Sequence, residues 1–311
     1  MMSSTATFDD RVPELPEFIA RQLPFRRRFY TLRRGDAASS KIHFIDEGPR
    51  DGRTVLLLHG NPTWSFLWRR VIRELPNFRC IAPDLLGLGL SDKPRRISDH
   101  SVVLHADAFA ELIEALDVQD AILVAQDWGG PVGIAVGERQ PDRFAGLIFA
   151  NTAVALPKQP RGTKFHQLAR TPVVSDLLFR VLGFPLRSLH KTQAAASSIS
   201  GDVARAYRWP LRRLRDRVAP LALARMVPDS TEHPSYIAMR SAAGWAESFK
   251  GPVRLVWGIR DPVLGRALKR HRAQWPEAPV RELEAGHFLQ EEVPEELAAA
   301  VRAIDSELSS T

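Results

Sequence analysis

The sequence predicts an α/β protein with a mostly parallel central sheet flanked by helices and a helical cap inserted after the sixth strand. Continuous apolar runs such as Thr54–Leu58 are typical of strands buried on both faces of a parallel sheet. Helical patterns alternate with these runs, which favours strand–helix–strand units. The strand pattern stops at about Ala155 and returns at Val253, so we expect a helical insertion between them.

The composition is that of an ordinary globular chain. Of its 311 residues, 44% are hydrophobic and 25% are charged, which excludes disordered, collagen-like and coiled-coil proteins. No apolar run approaches the ~18 residues of a membrane span, and the N-terminal region lacks the apolar segment of a signal peptide. The single cysteine, Cys80, excludes an intramolecular disulfide and a thiolate metal cluster. We therefore expect a cytoplasmic protein.

Apolar character and bounding turn residues predict the strands. They are Phe29–Leu32, Ile42–Ile45, Thr54–Leu58, Phe78–Pro83, Ala121–Ala125, Ala145–Ala150, Val253–Trp257 and Val280–Leu283. Helices are predicted at Trp64–Leu75, Val102–Leu116 and Val132–Arg139. This pattern assigns residues 1–155 and 231–311 to the α/β core and residues 156–230 to the cap.

The chain has a formal net charge of +7, and a basic chain can attract nucleic acid or anionic membranes. Its densest basic patch is Arg205–Arg217. A nucleic-acid channel would place several stacking aromatic residues among such arginines, and only Tyr207 and Trp209 are available there. We interpret the patch as a solvated helix face and predict neither a nucleic-acid nor a membrane partner.

A sharp turn is predicted at Ala125–Gly129, where a buried strand ends and a helix begins. Its frame of small residue, acid and small residue matches the nucleophile elbow G-x-S-x-G, which lifts one side chain above the sheet. Here that side chain is the carboxylate of Asp127, which can attack an sp³ carbon and form an ester. A strand-ending aspartate is also a common helix N-cap, so this motif alone leaves both interpretations open.

Two later residues favour catalysis at this turn. Asp261 follows the strand Val253–Trp257, and His287 follows the strand Val280–Leu283. The chain order of nucleophile, acid and histidine is that of the α/β hydrolases. We expect His287 to take a proton from water while Asp261 holds the tautomer and orientation of its ring.

The loop His59–Pro62 follows the first long buried strand, where hydrolases of this fold place an oxyanion loop. We expect the backbone N–H groups of Asn61 and Trp128 to form the oxyanion hole facing the carbonyl oxygen of Asp127. The side chains of Asn61 and Trp128 add an amide and an indole donor, which suit a departing halide. The alternative is that Asn61 only forms a turn and Trp128 only packs in the core.

Several segments together resemble the haloalkane dehalogenase family, and the resemblance extends from about Arg28 to the end of the chain. They are His59–Trp64, Leu67–Arg69, Asp84–Pro94, Gln126–Gly130 and Gly286–Glu291. The resemblance implies that Asp127 is the nucleophile, His287 the base, and Asn61 and Trp128 the halide-binding pair. The family places its triad acid after one of two strands; here the earlier position holds Asn151 and the later one Asp261.

An asparagine donor combined with a late aspartate resembles the third subgroup of that family, whose members tend to form large oligomers. The cap segments Tyr207–Pro210, Arg225–Pro228 and His233–Ser235 are also similar to that subgroup. The resemblance implies a small halogenated hydrocarbon and water as reactants, halide as a product, no cofactor, no metal, and possible assembly into a homo-oligomer.

Three alternatives stay open. An epoxide hydrolase would share the aspartate nucleophile but needs two acidic hydroxyls in the cap, and Tyr30, Tyr207 and Tyr236 are the only tyrosines. A cofactor-free oxygenase resembling the coelenterazine luciferases would use an early triad acid, which this chain lacks. A non-catalytic binding protein would need no base that activates water.

Overall fold

The computed structural model describes residues 8–161 and 163–310, and a nine-stranded sheet forms its centre. The strands are β1 Phe8–Asp9, β2 Arg27–Thr31, β3 Lys41–Glu47, β4 Thr54–Leu58, β5 Arg79–Pro83, β6 Ala121–Asp127, β7 Phe144–Thr152, β8 Val253–Gly258 and β9 Val280–Leu283. Their order in the sheet is β1-β2-β3-β5-β4-β6-β7-β8-β9. The pairs from β1 to β5 along one edge are antiparallel, and all pairs from β5 to β9 are parallel.

Helices cover both faces of the sheet. In the described residues the α-helices are α1 Glu17–Ala20, α2 Arg69–Arg73, α3 Val102–Ala115, α4 Gly129–Arg139, α5 Lys164–Arg170, α6 Val174–Asp176, α7 Gly201–Arg208, α8 Ala219–Met226, α9 Pro234–Ser248, α10 Leu268–Gln274, α11 Leu289–Glu292 and α12 Pro294–Ser309. None of them is long and apolar enough to cross a membrane.

The central strands are buried on both sides, as their apolar runs predict. In β4, Val55 and Leu57 pack in the cluster that includes α2 and α12, whereas Leu56 and Leu58 pack in the cluster that includes α3, α4 and α9. This alternation follows from the two-residue period of a strand. Burial of each such side chain stabilises the folded state by about 1.5–3 kcal/mol. The carboxyl ends of the central strands are therefore held rigidly.

The predicted α/β-hydrolase architecture is confirmed, with differences at two places. Phe8–Asp9 pair with β2 as an additional edge strand, so the helical insertion follows the seventh strand rather than the sixth. The single helix predicted over Trp64–Leu75 is a 3-10 turn at Ser65–Trp68 followed by α2. A tertiary contact fixes that tight turn, because the N–H of Ser65 donates to Asp84 Oδ1 at 2.6 Å.

Helices and turns, without a described strand, occupy the chain between β7 and β8. The last of these helices, α9, packs against α4 beside the sheet, whereas α5 packs against α8 within the insertion. This arrangement agrees with a core and a helical cap, and the boundaries at 155/156 and 230/231 stay a prediction.

Candidate active site

The carboxylate of Asp127 stands at the tight turn between β6 and α4. Asp127 has a positive backbone φ of 51°, a conformation that costs a non-glycine residue about 1–2 kcal/mol. A Cβ on Gly129 would lie 2.1 Å from the carbonyl oxygen of Leu58, so only glycine fits between this turn and β4. The turn predicted at Ala125–Gly129 is therefore present, with Asp127 at its apex.

Backbone N–H groups hold one side of this carboxylate. The N–H of Asn61 donates to Asp127 Oδ1 at 2.7 Å, and the backbone N–H of Trp128 also favours the charged form of the carboxylate. The loop after β4 can approach this closely because Gly60 lacks a Cβ, which would lie 2.1 Å from Oδ1. The hydroxyl of Thr152 in β7 donates to the backbone carbonyl of Asp127 at 2.6 Å, which stabilises the turn.

The imidazole of His287 lies between two carboxylates. Its Nδ1 is 2.8 Å from Asp261 Oδ2, and its Nε2 is 3.6 Å from Asp127 Oδ2. Because an ionised carboxylate only accepts hydrogen bonds, Asp261 selects the tautomer with the proton on Nδ1. The lone pair of Nε2 is then directed toward Asp127. The three residues predicted as a triad are thus brought together, although 160 positions separate the first from the last.

Asn151 supports the carboxylate of Asp261. Its Nδ2 donates to Asp261 Oδ2 at 2.7 Å, and its Oδ1 accepts from the N–H of Gly258 at 2.7 Å. The N–H of Val263 donates to the other oxygen of Asp261 at 2.6 Å. Asn151 stands at the earlier of the two positions that can carry the acid in the family that the sequence resembles. Here it hydrogen-bonds to Asp261, which follows the later strand.

Burial and neighbouring charges shift the pKa values of the three groups. Burial raises the pKa of Asp127, and the charge of His287 and the N–H donors only partly oppose this rise. Burial acts to lower the pKa of His287, but the charges of Asp261 and Asp127 outweigh it and raise this pKa above its ordinary value of 6.5. Burial acts to raise the pKa of Asp261, but its interactions with His287 and Asn151 prevail and lower it below 3.8.

The side chains of Asn61 and Trp128 both border the cavity that contains the Asp127 carboxylate. The amide Nδ2 of Asn61 donates to the carbonyl oxygen of Pro220 in α8 at 3.0 Å, which connects the loop after β4 to the insertion. An amide nitrogen carries two hydrogens, so one remains for another acceptor. Trp128 lines the same cavity, and its indole N–H is a donor that can bind a ligand there.

The cavity has a volume of about 550 Å³, which suits a small organic molecule. The core contributes its polar floor through Asn61, Asp127 and His287. Its walls are largely apolar and come mostly from the insertion; they include Phe165, Phe184, Pro185, Leu189, Ala224, Val227 and Phe288. Apolar walls exclude water and strengthen the electrostatic interactions of the charged groups at the floor.

No role at the site was predicted for two residues that the structure places there, namely Gln126 and Asn151. The Nε2 atom of Gln126 lies 3.2 Å from His287 Nε2 and donates to the backbone carbonyl of His287 at 3.2 Å. A signal existed for both residues, because each lies at the carboxyl end of a predicted parallel strand, where ligand sites form. Their partners are distant in the chain, so their contacts could not be inferred from the sequence.

Comparison with known proteins places the chain in a family. The family model for the alpha/beta hydrolase fold matches residues 53–294. A haloalkane dehalogenase of Mycolicibacterium paratuberculosis is 31% identical over 300 residues, which cover 95% of this chain and 96% of the relative. Haloalkane dehalogenase 1 of Mycobacterium tuberculosis is 33% identical over 88% of this chain and 91% of its own length.

Solved structures agree. The tetrameric haloalkane dehalogenase DpaA from Paraglaciecola agarilytica superposes with a TM-score of 0.76 at 29% identity, covering 92% of this chain and 97% of that one. The haloalkane dehalogenase DbeA from Bradyrhizobium elkani gives a TM-score of 0.79 at 26% identity, covering 90% and 99%. Sequence, fold and site geometry lead to one conclusion: the chain belongs to the haloalkane dehalogenase family of the α/β hydrolases.

Proposed function

We propose that this protein hydrolyses haloalkanes to alcohols, with Asp127 as covalent nucleophile and the pair His287–Asp261 as the base that activates water. One juxtaposition supports this function best. A carboxylate has one oxygen held by backbone N–H groups and the other 3.6 Å from an imidazole, on the floor of an apolar cavity.

In the first step, Oδ2 of Asp127 attacks the carbon that bears the halogen, from the side opposite the halogen. A carbon–oxygen bond forms while the carbon–halogen bond breaks, and the halide leaves with the electron pair. The amide of Asn61 and the indole N–H of Trp128 are the donors that would bind it. Such donors stabilise the charge that develops on the halogen in the transition state.

In the second step, water attacks the carbonyl carbon of the resulting ester, and Nε2 of His287 takes its proton. Negative charge then develops on Oδ1, which faces the backbone N–H of Asn61 at 2.7 Å. Collapse of this intermediate releases the alcohol and restores the carboxylate of Asp127. The proton passes from His287 to solvent, so the products are an alcohol, a halide and a proton.

Formation of the ester itself prepares His287 for the second step. The negative charge of Asp127 is one of the interactions that raise the pKa of His287. Alkylation removes this charge, so the pKa of His287 falls in the intermediate and a larger fraction of the imidazole is neutral. The base is therefore in its active form when water must be deprotonated.

Bromide release from 1-bromobutane and 1,2-dibromoethane tests the proposal. We expect release by the unmodified protein, complete loss in Asp127→Ala, and full retention in Asp142→Ala, whose aspartate is exposed and does not line the cavity. Release that persists in Asp127→Ala would contradict the assigned nucleophile. Absence of release from the folded unmodified protein would contradict haloalkanes as the substrate class.

The tyrosines disfavour an epoxide hydrolase. Tyr30 donates to Glu111 at 2.9 Å, Tyr207 donates to Glu291, and Tyr236 donates to the carbonyl oxygen of Pro157 at 3.2 Å. None of the three lines the cavity, so no hydroxyl pair is available to protonate an epoxide oxygen. Styrene oxide in the same assay separates the two activities, and we expect it to remain intact.

Assembly into a homo-oligomer and a cytoplasmic location stay predictions. The tetrameric relative supports the first, and light scattering of the full chain after size-exclusion chromatography would test it.

A further inference from the structure

A row of exposed apolar side chains, here called the apolar ridge, runs along the outer side of the helical insertion. It consists of Val173, Val174, Leu177, Val181, Leu182 and Leu214. Their exposed fractions range from 48% to 78%, which is unusual for six large apolar residues in neighbouring elements. Apolar patches of this kind mark interaction sites on protein surfaces.

Helical geometry makes the apolar ridge continuous. Val174, Leu177 and Val181 follow one another at spacings of three and four residues along α6 and the π-helical turn Leu177–Val181, so they share one face, and Val173 immediately precedes α6. On the inner side of the same segment, Phe179 is buried and packs against Phe165 and Phe184 at ring distances of 5.6 and 5.7 Å. The inner face anchors the segment, and folding therefore gives no reason for the outer face to be apolar.

A basic depression of about 370 Å³, here called the arginine hollow, lies close to the apolar ridge. Its arginines are Arg187, Arg205, Arg208, Arg212 and Arg217, and its aromatic residues are Phe18 and Trp209. The guanidinium group of Arg212 lies over the ring of Trp209, 4.4 Å from its centroid. Tryptophan and arginine are both frequent where a protein meets a lipid headgroup region.

The arginine hollow contains more positive charge than its neighbours neutralise. Among the described residues, only Arg205 of these five arginines has a carboxylate oxygen within 4.0 Å, from Asp202. Burial lowers the pKa of Arg217, and the nearby charge of Arg187 lowers it further. Arg217 donates to four backbone carbonyl oxygens and is largely occupied. The exposed guanidinium groups of Arg187, Arg208 and Arg212 have no carboxylate partner among the described residues, and such groups are suited to bind phosphate oxygens in bidentate geometry.

The apolar ridge and the arginine hollow belong to one surface. Arg217 lines the arginine hollow and donates to the carbonyl oxygens of Arg180 and Val181 at 2.9 and 3.0 Å. These two residues end the π-helical turn that carries part of the apolar ridge. Arg187, which also lines the hollow, lies on the loop that follows Leu182. Apolar side chains bordered by arginines are typical of surfaces that lie in the interface of an anionic bilayer.

We propose that this surface docks on anionic phospholipid membranes, with the apolar ridge at the acyl boundary and the arginine hollow on the lipid phosphates. The sequence predicts no membrane partner, because it contains no spanning segment and its arginines fit a solvated helix face. The structure adds the exposed ridge beside them. A second copy of the chain fits less well, because two-fold pairing of this surface would oppose arginine to arginine.

Docking would also bring the cavity close to the bilayer, because Phe184 and Pro185 in its wall directly follow the apolar ridge in the chain. An apolar halogenated substrate that dissolves in the membrane would then enter the cavity over a short path. This consequence rests on the proposed function, whereas membrane docking itself does not.

Sedimentation of the full chain with vesicles tests the proposal without any enzymatic readout. The vesicles contain equal parts of phosphatidylglycerol and phosphatidylcholine, or phosphatidylcholine alone. We expect binding to the anionic vesicles, and much weaker binding to the neutral ones and at high salt, which screens exposed charges. In Leu177→Ser/Val181→Ser the partition coefficient should fall by about tenfold or more, since buried apolar area drives interfacial binding.

Matched variants separate the two parts of the surface from general effects. Arg208→Gln/Arg212→Gln should weaken binding, whereas Arg260→Gln/Arg281→Gln removes the same charge elsewhere and should bind normally. Ile237→Ser removes an exposed apolar residue of α9 and should also bind normally. Circular dichroism verifies that each variant is folded.

Three outcomes would overturn the proposal. The first is that the unmodified protein does not bind anionic vesicles. The second is binding that Leu177→Ser/Val181→Ser leaves unchanged, which would mean charge adsorption without docking of the apolar ridge. The third is that this variant converts an oligomer to a monomer in light scattering while vesicle binding is absent, which would make the surface an interface between copies.

Discussion

The two oxygens of the Asp127 carboxylate have different neighbours, and this difference divides the proposed chemistry between them. Oδ1 accepts the N–H of Asn61 at 2.7 Å, whereas Oδ2 faces His287 Nε2 at 3.6 Å. The oxygen that is already hydrogen-bonded is the weaker nucleophile and the better oxyanion. We therefore assign attack on carbon to Oδ2 and the ester carbonyl to Oδ1.

Removal of the Trp128 indole donor should slow the first step without stopping the second. In Trp128→Phe the ring is retained and the N–H is lost, so we expect kcat/KM for bromide release to fall by about 100-fold. Rapid-quench measurement of ester formation and ester decay distinguishes the two steps. Trp209→Phe, a tryptophan outside the cavity, is the matched control and should react normally. Equal slowing of both steps would argue against a halide-binding role.

The pH dependence of ester hydrolysis should report the pKa of His287. The base must be neutral, and Asp261 and Asp127 raise its pKa above 6.5 in the free enzyme. The ester has removed the charge of Asp127, so the rate of ester hydrolysis should fall as the pH decreases through a pKa of His287 that is lower than in the free enzyme. In Asp261→Asn the charge that opposes the effect of burial is gone, so the acidic limb should move to lower pH while the plateau rate drops by at least about 100-fold.

Rapid-quench measurement of the rate of ester decay at a series of pH values gives the acidic limb of the profile directly. A limb that remains at the same pH in Asp261→Asn would mean that Asp261 does not set the pKa of His287. A limb that moves to higher pH would reverse the sign of the electrostatic argument.

At the residue scale the sequence predicted the side chains to which we assign the chemistry, but it did not predict the contacts that support them. Asp127, Asp261 and His287 could be identified because each follows a predicted strand and their order matches a known arrangement. Asn151 also follows a predicted strand, but its role could not be predicted, because its contact with Asp261 spans 110 residues and depends on the register of β7 and β8. The contact of Asn61 with Pro220 likewise required the position of α8.

At the scale of elements, a buried ion pair joins three helices around the loop that carries His287. Arg69 in α2 donates to both oxygens of Glu291 in α11, at 2.5 and 2.9 Å. The hydroxyl of Tyr207 in α7 donates to the same carboxylate. Since Glu291 lies four residues after His287, this network connects the catalytic loop to both the core and the insertion.

Loss of Glu291 should destabilise the protein strongly. In Glu291→Ala the guanidinium group of Arg69 is buried without a counter-charge, which typically costs about 3–5 kcal/mol. Denaturant unfolding measures this loss. Glu296→Ala is the matched control, because Glu296 also forms a bidentate pair, with Arg281 at 2.9 Å, but on the surface. Its loss should be a small fraction of that for Glu291→Ala, and equal losses would contradict the role of burial.

The differences between predicted and observed elements have physical causes. β1 contains two residues, which is too short for a pattern of alternation, and it exists through its pairing with β2. The turn before α2 has an apolar pattern that fits a helix equally well, and the hydrogen bond from Ser65 to Asp84 decides its shape. Tertiary contacts of this kind override local propensity.

At the scale of the whole molecule, the fold could be predicted because strands buried on both faces have a distinctive composition. The parallel strands β4, β5 and β6 and the strands β7 and β8 beside them are largely apolar and buried, whereas the last strand, β9, is not, and few other structures produce such apolar runs. The surface of the helical insertion could not be predicted in this way. The sequence shows that a residue in a helix is apolar, but it does not show which surroundings that residue faces. Phe165 lines the cavity, whereas Leu177 is exposed to solvent.

Mass spectrometry of a His287→Gln variant can detect the covalent ester that we propose on Asp127. Without the base the ester should form and persist. After incubation with 1-bromobutane we predict a mass increase of one butyl group, located on the peptide that contains Asp127, and no increase in His287→Gln/Asp127→Ala. Bromide release without an adduct, or an adduct on another residue, would contradict the account.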